Sequence, residues 1–525
     1  NFKIGASASV SDFSKKELLY GLICSNFDEV TADYGMTHGS VVKDDGSMDF
    51  SAVENFIQTA KDGGITVYGH TLCWHAHQNI TYLKELIKGK YYSGTTIIAD
   101  FESDELGKTY PMTGNSTATV VLDPIGQSGK VLRVGSSATP ASYSFPKISV
   151  TLPEGRKLGD YKTLTLDFYG TGSTGLYGSG MRLGINDKPL VVFNSPAGFG
   201  CPDGGWGRGK IVLDLKKLNL SESEKELINF TLVVGSGTGS GNYYIDNVIM
   251  SWEYSDIKTP EEQKEILTQA LETYIDAIMK VSANYVTSYD VISEPMSDNE
   301  DYMLKSAATE PNAGTNFYWQ DYLGENYACD AIRFARQYFK KYGGNENDLK
   351  LFVDEYGLEN YGNSKCERLL RMIDQWEEEG VRIDGIATQM HVTYSLDPTQ
   401  QSMNEEGVMN MLRMLAETGK LVKISALDMD IQDENGNAIT AMNLSFEQKL
   451  AMAEYYNFIV LKYLEIIPLE QRYGITIGSL TDTSDGRPLG LWDINYNRKP
   501  AYIGFADGVA GKIYVLPEDF SIQKR

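Results

Sequence analysis

The sequence predicts an α/β chain: a (β/α)8 TIM barrel interrupted by an inserted all-β jelly-roll or β-sandwich domain. Three observations predict it. Residues 1–94 alternate short apolar runs with amphipathic helical stretches, the texture of parallel βα units. The same alternation returns over residues 256–525. Between them, residues 95–255 hold 23 of the 51 glycines and none of the five histidines. Short β-prone runs split by Gly, Ser, Asn and Asp indicate an antiparallel sandwich there.

Each segment supports the assignment in turn. VTADYGM and TVYGHTLCWH read as buried strands, and MDFSAVENFIQTAKDGG between them reads as a helix stopped by Gly63-Gly64. Strand, helix and strand make a parallel βαβ unit. The insert's runs include VTLPEG, KTLTLDFYG, MRLGIND, KIVLDL, NFTLVVGSG and YYIDNVIMSW. The helix TPEEQKEILTQALETYIDAIMKV follows, with Thr259 as N-cap, Pro260 at the first helical position and acids in the first turn. Strands and helices then alternate from YVTSYDVISEP to GITIGSLTD. The two outer segments total 364 residues, enough for eight βα units with long loops.

Composition narrows the function classes. A net charge of −24 disfavours nucleic acid and anionic membrane surfaces, so a neutral polymer or small neutral ligand fits better. No run reaches the roughly 18–20 apolar residues needed to span a bilayer. The first residue is Asn1, which suggests a processed chain from which a signal or lipoprotein anchor is gone. Secreted, periplasmic or cell-surface placement and a monomeric state are the matching expectations. The five cysteines form no C-x-x-C pair, and Cys24 and Cys73 lie in apolar runs as expected of buried free thiols. His75 and His77 share a strand parity, but no third ligand or H-E-x-x-H motif accompanies them, so neither metal nor cofactor is expected.

Six motifs occur in a fixed order: Gly69-His-Thr-Leu-Cys-Trp-His75, Tyr289-Asp-Val-Ile-Ser-Glu-Pro295, Tyr322-Leu-Gly-Glu-Asn-Tyr327, Ile386-Ala-Thr-Gln-Met-His391, Lys423-Ile-Ser-Ala-Leu-Asp428 and Lys499-Pro-Ala-Tyr502. Together they resemble glycoside hydrolase family 10, whose members are mostly retaining endo-β-1,4-xylanases. The insert's opening, Ala99-Asp-Phe-Glu102, and its close, Tyr244-Ile-Asp-Asn-Val-Ile-Met250, resemble family 4 and related carbohydrate-binding modules. Xylanases of gut Bacteroidetes carry such a module at this place.

The resemblance implies a site. A retaining glycosidase needs two carboxyl groups about 5–5.5 Å apart at strand ends. Glu294 falls at the acid/base position. The nucleophile position is Ala426, and a methyl group can neither attack nor stabilise an oxocarbenium ion. Asp428 and Asp430 share its strand parity, but each step of two moves a carboxylate about 6–7 Å along the strand. Neither is expected to replace it.

The resemblance also implies sugar contacts by Trp74, His75, Gln389, His391, Asp428, Ser293 and Tyr356. Other positions depart from the family's pattern. Tyr34 and Thr37 stand for an Asn and a Lys, Ser293 for an Asn, Asp354-Glu-Tyr-Gly357 for N-D-Y-N, and Gly478 for a Trp. A second Trp is absent from Thr483-Ser-Asp-Gly486. In the insert, Trp206, Tyr143 and Tyr177 are the candidate sugar platforms, and Trp252 is expected to pack at the domain junction. Two functions follow. One is a xylanase-like protein that binds plant cell-wall β-glycan of the xylan type, with hydrolysis lost or crippled. The other is an active retaining endo-β-1,4-xylanase in which the nucleophile Glu was engineered to Ala. The spread of departures favours the first.

Overall fold

A computed structural model describes residues 2–114, 117–136, 143–170, 180–193, 209–237, 242–311 and 313–515. Eight parallel strands close a barrel. In chain order they are β1 (Lys3–Ala8), β2 (Glu29–Ala32), β3 (Thr66–Trp74), β4 (Ser288–Ser293), β5 (Lys350–Tyr356), β6 (Gly385–Ser395), β7 (Leu421–Gln432) and β8 (Arg472–Ile477). Each pairs with its sequence neighbours and β1 pairs with β8, which closes the ring.

The helices follow the sequence signals. Ser51–Asp62 ends before Gly63, and Gly64 takes φ +71°. Pro260–Ser282 begins with Thr259 and Glu262 in a reciprocal capping box, which satisfies two otherwise orphaned amides. Two expectations need adjusting. VTADYGM is a strand only to Ala32, after which the chain turns at Tyr34–Thr37. The helix expected from Tyr322 starts at Tyr327, because Gly324 at φ +87° ends the short helix Gln320–Leu323.

The barrel axis is packed with polar and aromatic side chains as well as aliphatic ones. At its lower end Glu29, 1% exposed, accepts from Lys423 (3.2 Å), Lys3 (2.9 Å) and the Tyr473 hydroxyl (2.8 Å). Lys423 also lies 3.1 Å from the centre of the Tyr68 ring. Burial pushes the Lys423 ammonium down and the Glu29 charge opposes that shift.

Two compact units make up the chain: Asn1–Lys88 with Lys258–Arg525, and Gly89–Ile257. The insert therefore starts six residues before the expected 95 and ends at 257. The reason is the strand Lys90–Ala99, which pairs antiparallel with Tyr243–Asp256 from Lys90↔Asp256 to Ala99↔Val248. It lacks the glycine-rich texture that marks the rest of the insert. The insert's strands form a four-stranded and a seven-stranded sheet with its own apolar core, including Leu164, Leu166, Leu213 and Val234. Among its described residues every strand pairing is antiparallel. Cys73, Cys329 and Cys366 are buried free thiols, Cys24 is only partly buried, and Cys201 lies outside the described residues.

Candidate active site

The C-terminal ends of the barrel strands surround a cleft of about 500 Å³. Glu294 enters it directly after β4. Its φ is +51°, a left-handed conformation that costs a non-glycine residue on the order of 1–3 kcal/mol. Its amide donates to the Asp354 carbonyl at 2.7 Å, which holds the turn. One carboxylate oxygen accepts from the Trp74 indole N–H (3.0 Å) and the other from Gln389 Nε2 (3.0 Å). Lys305 Nζ is 4.0 Å from the first oxygen. The side chain is thereby fixed toward the cleft.

Position 426 is presented by a β-bulge. Along the β6–β7 pairing Thr388 faces Ile424 but Gln389 faces Ala426, so Ser425 is the extra residue. The β7–β8 register shifts at the same place. A bulge re-aims side chains, and here both Ser425 and Ala426 line the cleft. Gly478 lies against Ala426: a Cβ built on it would come within 3.1 Å of the alanine methyl and 3.0 Å of Asp428 Oδ2. Ala426 therefore shares the cleft with Glu294.

The other carboxylates near it are already tethered. Asp428 Oδ1 lies 2.7 Å from His391 Nδ1, and its Oδ2 accepts from Ser479 Oγ at 3.0 Å. That hydrogen bond, with the Asp428 charge, raises the His391 pKa against the opposing effect of burial. Asp430 pairs with Arg487. Asp354 accepts from Ser425 Oγ and Gln389 Nε2, each at 2.6 Å. Because Gln389 Nε2 bridges both groups, Asp354 Oδ2 and Glu294 Oε1 are at most 5.6 Å apart. That bound is near the spacing of a retaining pair. However, Asp354 is 1% exposed, and burial with the Asp290 charge pushes its pKa well above the usual range. A buried carboxyl whose two oxygens are both bonded to protein groups is a poor nucleophile.

Trp74, Gln389, His391 and Asp428 line the cleft with Glu294 and Ala426. Three expected contacts do not. His75 points away and stacks on Tyr318 at 5.4 Å and 5°; burial, with Lys305 and Lys365 nearby, drives its pKa down to about 3. Ser293 donates to Thr71 Oγ1 at 2.8 Å, and Tyr356 donates to Asp298 at 2.6 Å. Both serve the protein rather than the cleft.

His70, His77, Tyr34 and Asp354 line the cleft instead. Tyr68, His70 and Trp74 all line the cleft although the register of β3 shifts between His70 and Cys73, so simple alternation along the strand does not announce His70. Thr37 is buried and donates to the Tyr34 carbonyl at 2.7 Å, so it does not reach the cleft.

His70, Asp290 and Asp354 bring possible metal-ligating atoms within 4.8 Å of one another. Their carboxylate oxygens already have protein partners: Tyr68 and His70 for Asp290, Ser425 and Gln389 for Asp354. In the insert, Tyr143 is 63% exposed at φ +46°, while Trp206 and Tyr177 lie outside the described residues. Trp252 lies beneath the Arg156 guanidinium, 3.5 Å from its ring centre, and beside Tyr254.

Among curated proteins, the chain is 28% identical over 294 residues to the endo-β-1,4-xylanase Xyn10C of Cellvibrio japonicus, covering 51% of this chain and 43% of that one. It is 25% identical over 276 residues to the exoglucanase XynX of Acetivibrio thermocellus, covering 50% of this chain and 22% of that one. The chain thus spans less than half the length of these relatives. Among solved structures, native xylanase 10C from Cellvibrio japonicus superposes with a TM-score of 0.55 at 16% identity, over 98% of this chain and 71% of that one. A family 10 structure from Paenibacillus barcinonensis gives 0.54 at 16% identity, over 98% and 97%. At such identities the superpositions show a shared fold. The family profile described as Glycosyl hydrolase family 10 matches residues 1–103 and 247–508, most of the chain, and the chain belongs to that family.

Proposed function

We propose that this protein binds a plant cell-wall β-glycan of the xylan type in its barrel cleft, and that the family's retaining hydrolysis is lost or crippled. One observation carries this reading. The bulge of β7 brings Ala426 into the cleft that holds Glu294, and Asp354 and Asp428 there are already bonded to protein groups. Without a nucleophile the covalent glycosyl intermediate cannot form. Glu294, Gln389, His391 and Trp74 still offer fixed polar and aromatic groups to a sugar. The insert is read as a carbohydrate-binding module and the protein as one acting outside the cytoplasm.

The second reading, an engineered alanine in an active endo-xylanase, draws on the intact His391–Asp428 pair and the fixed Glu294, which would support a carboxylate at 426. Calorimetric titration with linear xylo-oligosaccharides, run beside a reducing-sugar assay on xylan, tests the main reading. Saturable binding without turnover is expected. Turnover by the chain as it stands, or an absence of binding to any xylan or oligosaccharide, would overturn it.

A further inference from the structure

One sheet of the insert narrows at its end to a two-stranded ribbon. The strand Tyr243–Asp256 pairs with Tyr161–Gly170 on one side and with Lys90–Ala99 on the other. The first pairing stops at Trp252↔Tyr161, whereas the second continues to Asp256↔Lys90. Among the described residues, Glu253–Asp256 therefore has a strand neighbour on one side only. A groove of about 590 Å³ lies there, with Arg156, Lys157, Lys162, Ile228 and Tyr254 in its lining. We propose that this groove binds a pyranose that carries a carboxylate, a hexuronate unit of an acidic polysaccharide. The sugar ring lies on Tyr254 and Ile228, and Arg156 and Lys162 hold the carboxylate. The proposal does not depend on the reading of the barrel cleft.

Three observations support it. The first is a fixed and exposed aromatic platform. Residues directly opposite in an antiparallel pair share a face, and here Tyr254 faces Tyr92 while Trp252 faces Gly94. Tyr254 stacks on Tyr92 at 4.9 Å and 18° and on Trp252 at 6.2 Å and 26°. Glycine at 94 permits this arrangement, since a Cβ there would come within 2.5 Å of the Trp252 ring. Tyr254 is 50% exposed and Ile228 is 54% exposed. A ring already held by its neighbours suits the C–H face of a sugar and loses little entropy on binding.

The second is the placement of Arg156. Its guanidinium lies over Trp252, 3.5 Å from the ring centre. Stacking occupies the guanidinium face and leaves its N–H edge free, the edge that meets a carboxylate with two parallel hydrogen bonds. The third is the charge left over. Lys157 is paired with Glu226 at 2.6 Å, whereas Arg156 and Lys162 have no carboxylate partner among the described residues. The groove's acids already accept from protein groups: Glu226 from Lys157, Asp160 from the Lys157 amide at 3.0 Å, and Glu253 from the Tyr91 hydroxyl. Two unpartnered cations match a single carboxylate. The neighbouring acids, in a chain of net charge −24, disfavour a polyphosphate or a nucleic acid.

The test uses the full chain and two probes of equal length: a xylo-oligosaccharide bearing one glucuronate, and the same molecule with that carboxylate reduced to the alcohol. Affinities are measured by calorimetry in an excess of neutral linear xylo-oligosaccharide, which takes up the barrel cleft. The acidic probe is expected to bind about tenfold more tightly than the reduced one. Arg156→Gln and Lys162→Gln should each remove most of that preference, and Tyr254→Ala should weaken both probes. Thermal melts check that each variant is folded. Lys162→Gln tests the charge without uncovering Trp252. Absent binding, equal affinity for the two probes, or a preference that survives in folded Lys162→Gln and Arg156→Gln overturns the proposal. Failure of the neutral oligosaccharide alone to bind overturns the cleft reading and leaves the groove standing.

Discussion

Ala426 and Glu294 divide a two-carboxylate chemistry that needs both halves. Glu294 keeps its left-handed backbone and two donors, so the protein still carries the local strain of a functional position. Asp354 is the acid to test as a substitute, since its oxygen lies within 5.6 Å of Glu294. Its burial and its bonds to Ser425 and Gln389 make it structural. Asp354→Asn should therefore leave hydrolysis at background and change oligosaccharide affinity less than about threefold. A rise or fall in measurable turnover on that substitution would give Asp354 a catalytic part. At this scale the sequence was informative about identities and less so about directions. Motif position pointed to Glu294, Ala426, Gln389 and Asp428, which share one cleft. It misplaced His75 and Ser293, whose side chains face the protein, because a motif records order along the chain and not which way each side chain points.

Strands set those directions. A register shift in β3 between His70 and Cys73 and the bulge in β7 both interrupt strand alternation, and in β7 Ser425 and Ala426 both reach the cleft. Neither irregularity could be read from the residues, and nothing in Lys423-Ile-Ser-Ala-Leu-Asp428 announces an extra one. The lower end of the barrel was equally hidden. Glu29 and Lys423 are 394 residues apart and meet only when β2 and β7 join one ring. Removing one partner of a buried pair leaves an uncompensated charge, so Glu29→Ala should destabilise the barrel by about 3–5 kcal/mol in denaturant melts. A loss under about 1 kcal/mol would mean that Lys423 finds water or another partner. At the edge of the barrel, Thr259→Ala removes half of a capping box and should cost about 1 kcal/mol by the same measurement.

At the scale of the whole molecule, both halves of the architecture were readable from texture: βα alternation for the barrel and glycine-separated β runs for the insert. The boundary was not, because Lys90–Ala99 looks like neither. Its pairing with Tyr243–Asp256 brings Lys90 opposite Asp256, so the insert's two ends are a strand-pair distance apart, about 5 Å. Deleting residues 89–257 and joining the ends with a short Gly/Ser linker should leave a barrel that unfolds in one cooperative transition. A chain without a melting transition would show that the barrel depends on the insert.

Stability should also depend on pH. Burial pushes Glu355 up to about 7 against the opposing charges of Lys365 and Lys305, and burial likewise pushes Glu359 up to about 7. Between an ordinary glutamate value of about 4.5 and those values, the folded chain holds protons that the unfolded chain has released. The contribution of these two glutamates to stability therefore falls as pH rises from about 5 to 7, against the opposite contribution of His75 and His38, whose pKa values are lowered to about 3. Glu355→Gln should flatten that slope, and parallel profiles for the two proteins would remove Glu355 as its source.

We propose that hydrolysis was lost through a set of changes, of which Ala426 is one. The direct test is turnover of xylan and aryl-xylobioside by Ala426→Glu. Ala426 lines the cleft, and the His391–Asp428 pair lies beside it on the neighbouring strands. Yet Thr37 is turned away from the cleft and Ser293 is bonded to Thr71, so the sugar lacks two of its expected anchors. The account predicts retained binding with turnover still near background. Robust xylan hydrolysis by Ala426→Glu alone would contradict it and identify an active retaining xylanase lacking only its nucleophile.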